Sequence, residues 1–123
     1  PFVYGGTDGL PIPAAHPRLH GSFPRILGKY VREEKLLSLR DAVTKLSTGP
    51  AKRLGLQGRG EIAKGYQADI VVFDPAKVTD CGTLQNPDAR CQGISKVFVD
   101  GALVVEDGKH TGVTPGKVLS RGD

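Results

Sequence analysis

Methionine is missing from all 123 residues, and the chain opens inside Phe2-Val3-Tyr4, a run that reads as a strand. The expectation is therefore a piece of a longer polypeptide. No charged segment leads into an apolar one, and no apolar stretch is long enough to cross a bilayer, so neither a leader nor a membrane span is expected. A cytoplasmic protein with no membrane partner fits that pattern. Cysteine is scarce: Cys81 and Cys91 stand ten apart, without Cys-x-x-Cys spacing and without a histidine close by. That argues against a zinc knuckle and against a disulfide-rich secreted scaffold. Two free thiols are expected, with a loop-closing disulfide left open. Aromatic residues make up only 6% and do not interleave with the basic ones. The net charge of +4, from 17 Lys and Arg against 13 Asp and Glu, thus lacks the stacking platform of a nucleic-acid groove. Scattered positive charge of this kind solvates a surface or steers an anionic substrate.

What the chain does have is turn residues, 17 Gly and 9 Pro, around a 38% hydrophobic content that is low for a self-sufficient domain. The pattern divides near residue 57. Before it, Phe23, Ile26, Leu27, Tyr30 and Val31 fall on one helical face, with Ser22 as N-cap and Pro24 in the first turn. A second helix begins at Ser38 with Asp41 as its capping-box partner, turns Leu39, Ala42, Val43 and Leu46 inward, and stops at Gly49-Pro50. Pro50 to Leu54 makes a further helical piece closed by Gly55.

After residue 57 the period changes. Ile70-Val71-Val72-Phe73, closed by Asp74-Pro75, reads as a buried strand, and Asp100-Gly101 joins two apolar runs as a hairpin turn. Thr79 to Gly93 reads as an irregular excursion with one short strand, and Lys117-Val118-Leu119 as a last pairing segment. Gly58-Arg59-Gly60-Glu61-Ile62-Ala63 fits a loose dinucleotide fingerprint, but a helix precedes it and a strand follows. That is the reverse of what a phosphate loop needs, so it is rejected.

Asp8, in Tyr4-Gly5-Gly6-Thr7-Asp8-Gly9-Leu10-Pro11, is the leading candidate for chemistry. A carboxylate just beyond the carboxyl end of a strand is where α/β barrels keep catalytic groups. Asp-Gly is also a common turn pair, and spacing alone favours the turn. His16 and His20 are four apart, but Pro17 breaks the helical geometry a metal pair would need. His110 reads as an exposed turn residue, and Arg121-Gly122-Asp123 as a chance tripeptide.

Gly60-Glu61-Ile62-Ala63-Lys64-Gly65-Tyr66-Gln67-Ala68-Asp69-Ile70-Val71-Val72-Phe73-Asp74 resembles the closing segment of the metal-dependent amidohydrolase superfamily, and Val97 to Val104 resembles the hairpin that follows it there. Thr7 to Pro11, His16-Pro17-Arg18-Leu19, Gly21 to Tyr30 and Thr111 to Leu119 narrow the likeness to the N-acyl-D-amino-acid deacylases. The resemblance implies an α/β plus β fold. Residues 1–56 would hold the last strand, active-site loop and helices of a (β/α)8 barrel, and 57–123 the carboxyl-terminal segment of a small β-sandwich. It implies zinc, which lowers the pKa of a bound water, with ligands that lie outside this chain. It makes Asp8 the catalytic proton shuttle, and with a substrate that bears an α-carboxylate Arg18 and Gly9 become candidate substrate-binding residues. Arg18 suits an α-carboxylate because a guanidinium grips it as a fork; the bland alternative is an arginine bracing its own loop. The implied partners are an N-acyl-D-amino acid and the remainder of the barrel, with oligomerisation open. Cyclic-amide hydrolysis within the same superfamily and a non-catalytic β-rich interaction module stand as alternatives.

Overall fold

Three helical stretches and a four-stranded sheet follow one another along the chain in the computed structural model, which describes residues 3–10 and 16–121. Helix α1 spans Arg18–Arg25 and runs into a π-helical segment, Ile26–Glu33; α2 spans Leu39–Leu46 and α3 Thr48–Leu54. Strands β1 (Ile70–Phe73), β2 (Ile94–Val99), β3 (Ala102–Glu106) and β4 (Lys109–His110) pair antiparallel in that order.

The first helix starts five residues earlier than a Ser22 cap would place it. Ser22 lies inside it, and its hydroxyl donates to the Arg18 carbonyl at 2.8 Å. Pro24 is buried in the helix interior rather than in the first turn. Its ring removes one backbone donor and crowds the carbonyl four residues back. The helix widens immediately beyond it, and Glu34 N–H reaches the Lys29 carbonyl, five residues away, at 2.8 Å.

Helix α2 begins as its capping residues dictate. The Ser38 hydroxyl oxygen accepts from Asp41 N–H at 3.0 Å, and the hydroxyl donates to the Asp41 carboxylate at 2.7 Å. Ser38→Ala should lower stability by about 1 kcal/mol, read from the urea midpoint at constant m. The helix ends at Leu46, ahead of Gly49-Pro50, and of its apolar face only Ala42 is fully buried; Leu39 and Val43 stay exposed. Gly55, left-handed at φ 75°, closes α3 as expected.

The predicted opening strand is not found. Phe2 lies outside the described residues, and Val3 and Tyr4 pair with no strand. A strand needs a neighbouring ladder, and here the segment is instead tied to α2, through Gly5 N–H to the Lys45 carbonyl (3.3 Å) and Lys45 Nζ to the Val3 carbonyl (3.0 Å). Strand β1 forms where predicted but is not buried. It is the sheet edge, and Val71 and Val72 remain exposed. Lys117–Leu119 is not a strand, and Val118 is almost wholly exposed.

The hairpin turn has Asp100 at φ 49° and Gly101 at φ 79°, both left-handed, as a type I′ turn requires. Asp107 (φ 47°) and Gly108 (φ 78°) repeat that geometry and start β4. His110, read as a turn residue, sits in β4 opposite Val105 and is exposed. The excursion carries one bridge, Thr79 to Gln92, and the loop at Gly58–Ala63 lies between α3 and β1, the order that excludes a phosphate loop.

The two halves meet at Val78, which is fully buried. Arg32 Nη1 donates to the carbonyls of Val78 (2.5 Å) and Pro75 (3.3 Å), and Gly28 packs against the Val78 carbonyl. Among the described residues the buried hydrophobic side chains are Ala42, Ala51, Val78 and Val104, a small core. Exposed surface totals 8556 Å², against roughly 6,300 Å² for a compact monomer of 13.0 kDa. An apolar groove of about 1080 Å³, lined by Phe23, Leu27, Val43, Ile62, Tyr66 and Phe73 among others, runs between the helices and the sheet. Among the described residues no helix is long and apolar enough to cross a membrane.

Candidate functional site

The segment 3–10 brings Asp8 to the start of α1. Asp8 adopts a left-handed φ of 46°, which a short carboxylate side chain tolerates better than most. Thr7 Oγ1 accepts from Gly9 N–H at 3.2 Å and fixes the local bend. Gly9 then lies directly on α1: a Cβ there would stand 2.8 Å from Leu19 Cα and 2.9 Å from Leu19 Cδ1. Glycine is needed at this position for close approach, not for its dihedral freedom.

That approach sets the Asp8 carboxylate beside the Arg18 guanidinium, with Oδ2 and Nη2 3.2 Å apart. Side-chain exposure is 86% for Asp8 and 44% for Arg18, so the pair faces open space and is strongly screened. Pro17 is the N-cap of α1, which leaves His16 outside the helix with its Nδ1 accepting from Arg18 N–H at 3.1 Å. His20 lies inside the helix, and its Nδ1 meets Arg90 Nη1 at 3.4 Å. The two histidines thus take different partners, and residues 11–15, between Leu10 and His16, lie outside the described residues.

Contacts that local patterning did not anticipate hold α1 from behind. Arg25 Nη1 donates to Asp80 Oδ2 at 2.8 Å, and this hydrogen bond raises the guanidinium above its ordinary range. Gly82 packs on Pro17, and Gly21 on Asp80. The excursion from Thr79 to Gly93 therefore buttresses the helix that carries Arg18. Pairs separated by 55 and 70 residues leave no local signature in the sequence, which is why only the structure finds them.

Among the described residues no group of three or more His, Cys, Asp and Glu side chains could hold a metal ion. Cys81 and Cys91 are free thiols, and burial pushes the Cys91 thiol up. What the site offers is a carboxylate able to exchange a proton and a guanidinium able to hold an anion, side by side.

The comparisons with known proteins agree with one another. The D-aminoacylase of Alcaligenes xylosoxydans xylosoxydans is 49% identical over 117 residues, which cover 94% of this chain and 24% of that protein. A crystal structure of D-aminoacylase superposes with a TM-score of 0.92 at 49% identity, covering 94% of this chain and 25% of that one. The N-acyl-D-glutamate deacylase of Bordetella bronchiseptica, solved with zinc and a phosphonate mimic of the tetrahedral intermediate, gives a TM-score of 0.79 at 44% identity over 85% of this chain and 23% of that one. The chain thus spans about a quarter of the length of these relatives. The pattern of the Amidohydrolase family matches residues 3–105. Because that match runs unbroken from the segment bearing Asp8 to the hairpin built on Asp100-Gly101, the chain belongs to the Amidohydrolase family.

Proposed function

We propose that this chain is the carboxyl-terminal part of an enzyme that hydrolyses the amide bond of N-acyl-D-amino acids, with Asp8 as its proton shuttle. The observation that carries the reading is the 3.2 Å pairing of Asp8 with Arg18, in a chain 49% identical to a D-aminoacylase. Water attacks the acyl carbonyl, and Asp8 accepts the proton that water loses. Asp8 then delivers it to the amide nitrogen as the C–N bond breaks, releasing a carboxylate and a D-amino acid. Arg18 holds the α-carboxylate, and Gly9, packed on Leu19, keeps the loop low enough for both groups to meet one substrate.

The described residues do not build a zinc site, so a zinc such as the Bordetella enzyme carries would take its ligands from elsewhere in the polypeptide. We read residues 1–56 as the end of the barrel and 57–123 as a segment of the β-sandwich, and the antiparallel order β1-β2-β3-β4 supports the second part. The 8556 Å² of exposed surface supports a chain that buries area against the remainder of that barrel, and by itself it is expected to be inactive. A cytoplasmic location belongs to the same reading.

The test is substrate preference. The full-length protein should cleave N-acetyl-D-amino acids, spare their L-enantiomers, and leave hydantoins and dihydroorotate untouched. Preference for a cyclic amide would replace this reading, and binding without turnover would favour an interaction module. Arg18→Lys should raise KM for an N-acetyl-D-amino acid by roughly tenfold, since a charge-assisted hydrogen bond is lost with the fork. An unchanged KM would return Arg18 to the role of bracing its loop.

A further inference from the structure

Arg18 meets Asp8 through Nη2, so the guanidinium assigned to an incoming carboxylate already holds one. Local contacts position the two residues that carry the pair. Gly9 is pressed against Leu19, Thr7 Oγ1 holds Gly9 N–H at 3.2 Å, and His16 Nδ1 holds Arg18 N–H at 3.1 Å. Neither partner is buried, so separating them strands no charge in an apolar interior. From this juxtaposition we infer that Asp8 is the resting counterion of Arg18, and that the substrate α-carboxylate takes its place and frees Asp8 for the scissile amide.

The inference rests on the deacylase reading and adds to it a reason for substrate choice. One ion pair breaks and another forms; no covalent bond changes and no electron moves. The freed carboxylate no longer faces the guanidinium and can turn to the scissile amide. Amides without an α-carboxylate leave Asp8 engaged and should be slow to turn over even at saturation. Selectivity for acidic substrates then shows in kcat as well as in KM.

A binding measurement separates the two ideas. An exposed pair of this kind is equivalent to about a two- to fivefold factor in an equilibrium constant. Calorimetry on the full-length protein would compare N-methylsulfonyl-D-alanine, an uncleavable acid, with N-ethylmethanesulfonamide, which lacks the carboxylate. Asp8→Asn should bind the acid about two- to fivefold more tightly than the unaltered protein and the neutral sulfonamide equally well. Asp8→Ser should behave in the same way, with circular dichroism confirming that both variants fold. Equal or weaker binding of the acid by the variants would overturn the exchange, as would equal tightening of both ligands or no binding of the acid by the unaltered protein. The deacylase reading fails on a different measurement, when Asp8→Asn hydrolyses N-acetyl-D-alanine at the unaltered rate.

Discussion

Asp8→Asn in the full-length protein is expected to lower kcat for an N-acetyl-D-amino acid by about 10²–10⁴, the range for a positioned proton-transfer group. Asparagine keeps the size of the side chain and accepts a left-handed backbone, so the φ of 46° at this position is retained. What it loses is the ability to take up a proton and release it again. Because Asp8 is exposed and no packing depends on it, thermal stability should stay within about 0.5 kcal/mol. Asp100→Asn is the matched control, since Asp100 has nearly the same dihedral (φ 49°) in a hairpin turn remote in sequence from α1. Steady-state kinetics on both variants decides the matter: a similar fall in the two would point to folding, and no fall in either would remove Asp8 from the mechanism.

The largest stability effect is expected at a residue with no chemistry. Gly93 sits at φ 82°, and a Cβ there would stand 2.5 Å from Val78 Cα and 2.7 Å from the Lys77 carbonyl carbon. These are backbone atoms around Val78, the one large side chain that is completely buried among the described residues, so no flexible group can swing aside. Gly93→Ala therefore combines a left-handed penalty of about 1–2 kcal/mol with an overpacking penalty of about 1–3 kcal/mol. A loss of about 3–4 kcal/mol, read from the urea midpoint, is the expected result. Gly112 separates the two contributions: its φ is 90°, yet nothing lies within 4 Å of its Cβ position. Gly112→Ala should lose only the smaller, dihedral part, and equal losses at the two glycines would show that steric contact with Val78 is unimportant.

The parts of the fold legible in the sequence are those decided by neighbours along the chain. Ser38 with Asp41, Gly55, and Asp100-Gly101 each satisfy a backbone requirement within four residues, and the structure has a cap or turn at each. The errors have a common origin in contacts made at a distance. Pro24 looked like a first-turn residue because Ser22 precedes it, yet packing carries the helix back to Arg18. Phe2-Val3-Tyr4 and Ile70–Phe73 have the composition of buried strands, but the first finds no ladder among the described residues and the second lies at an edge. Asp107-Gly108 carries the same turn signal as Asp100-Gly101, but only two paired residues follow it.

The candidate site was legible in a different way. Asp8 and Arg18 are ten apart in the chain, and spacing alone would have left Asp8 a turn residue. Their proximity depends on Gly9 lying flat on Leu19, a condition that composition does not express. Family likeness raises Asp8 above a turn residue, and the α-carboxylate of the implied substrate makes Arg18 a candidate. Only the coordinates show that they face each other, and that the excursion behind them is fastened to their helix by Arg25 and Asp80.

The joint between the two halves has an evolutionary corollary. Arg32 grips main-chain oxygens at Pro75 and Val78, and every amino acid supplies that same oxygen. Mutations along 75–77 that preserve the path of the chain can accumulate without loosening the grip. A single-residue deletion between Ile26 and Arg32 would rotate the guanidinium off its targets by one full residue step of the helix. Related chains should therefore differ freely in the letters of that connection while keeping the length of the helical stretch that reaches it.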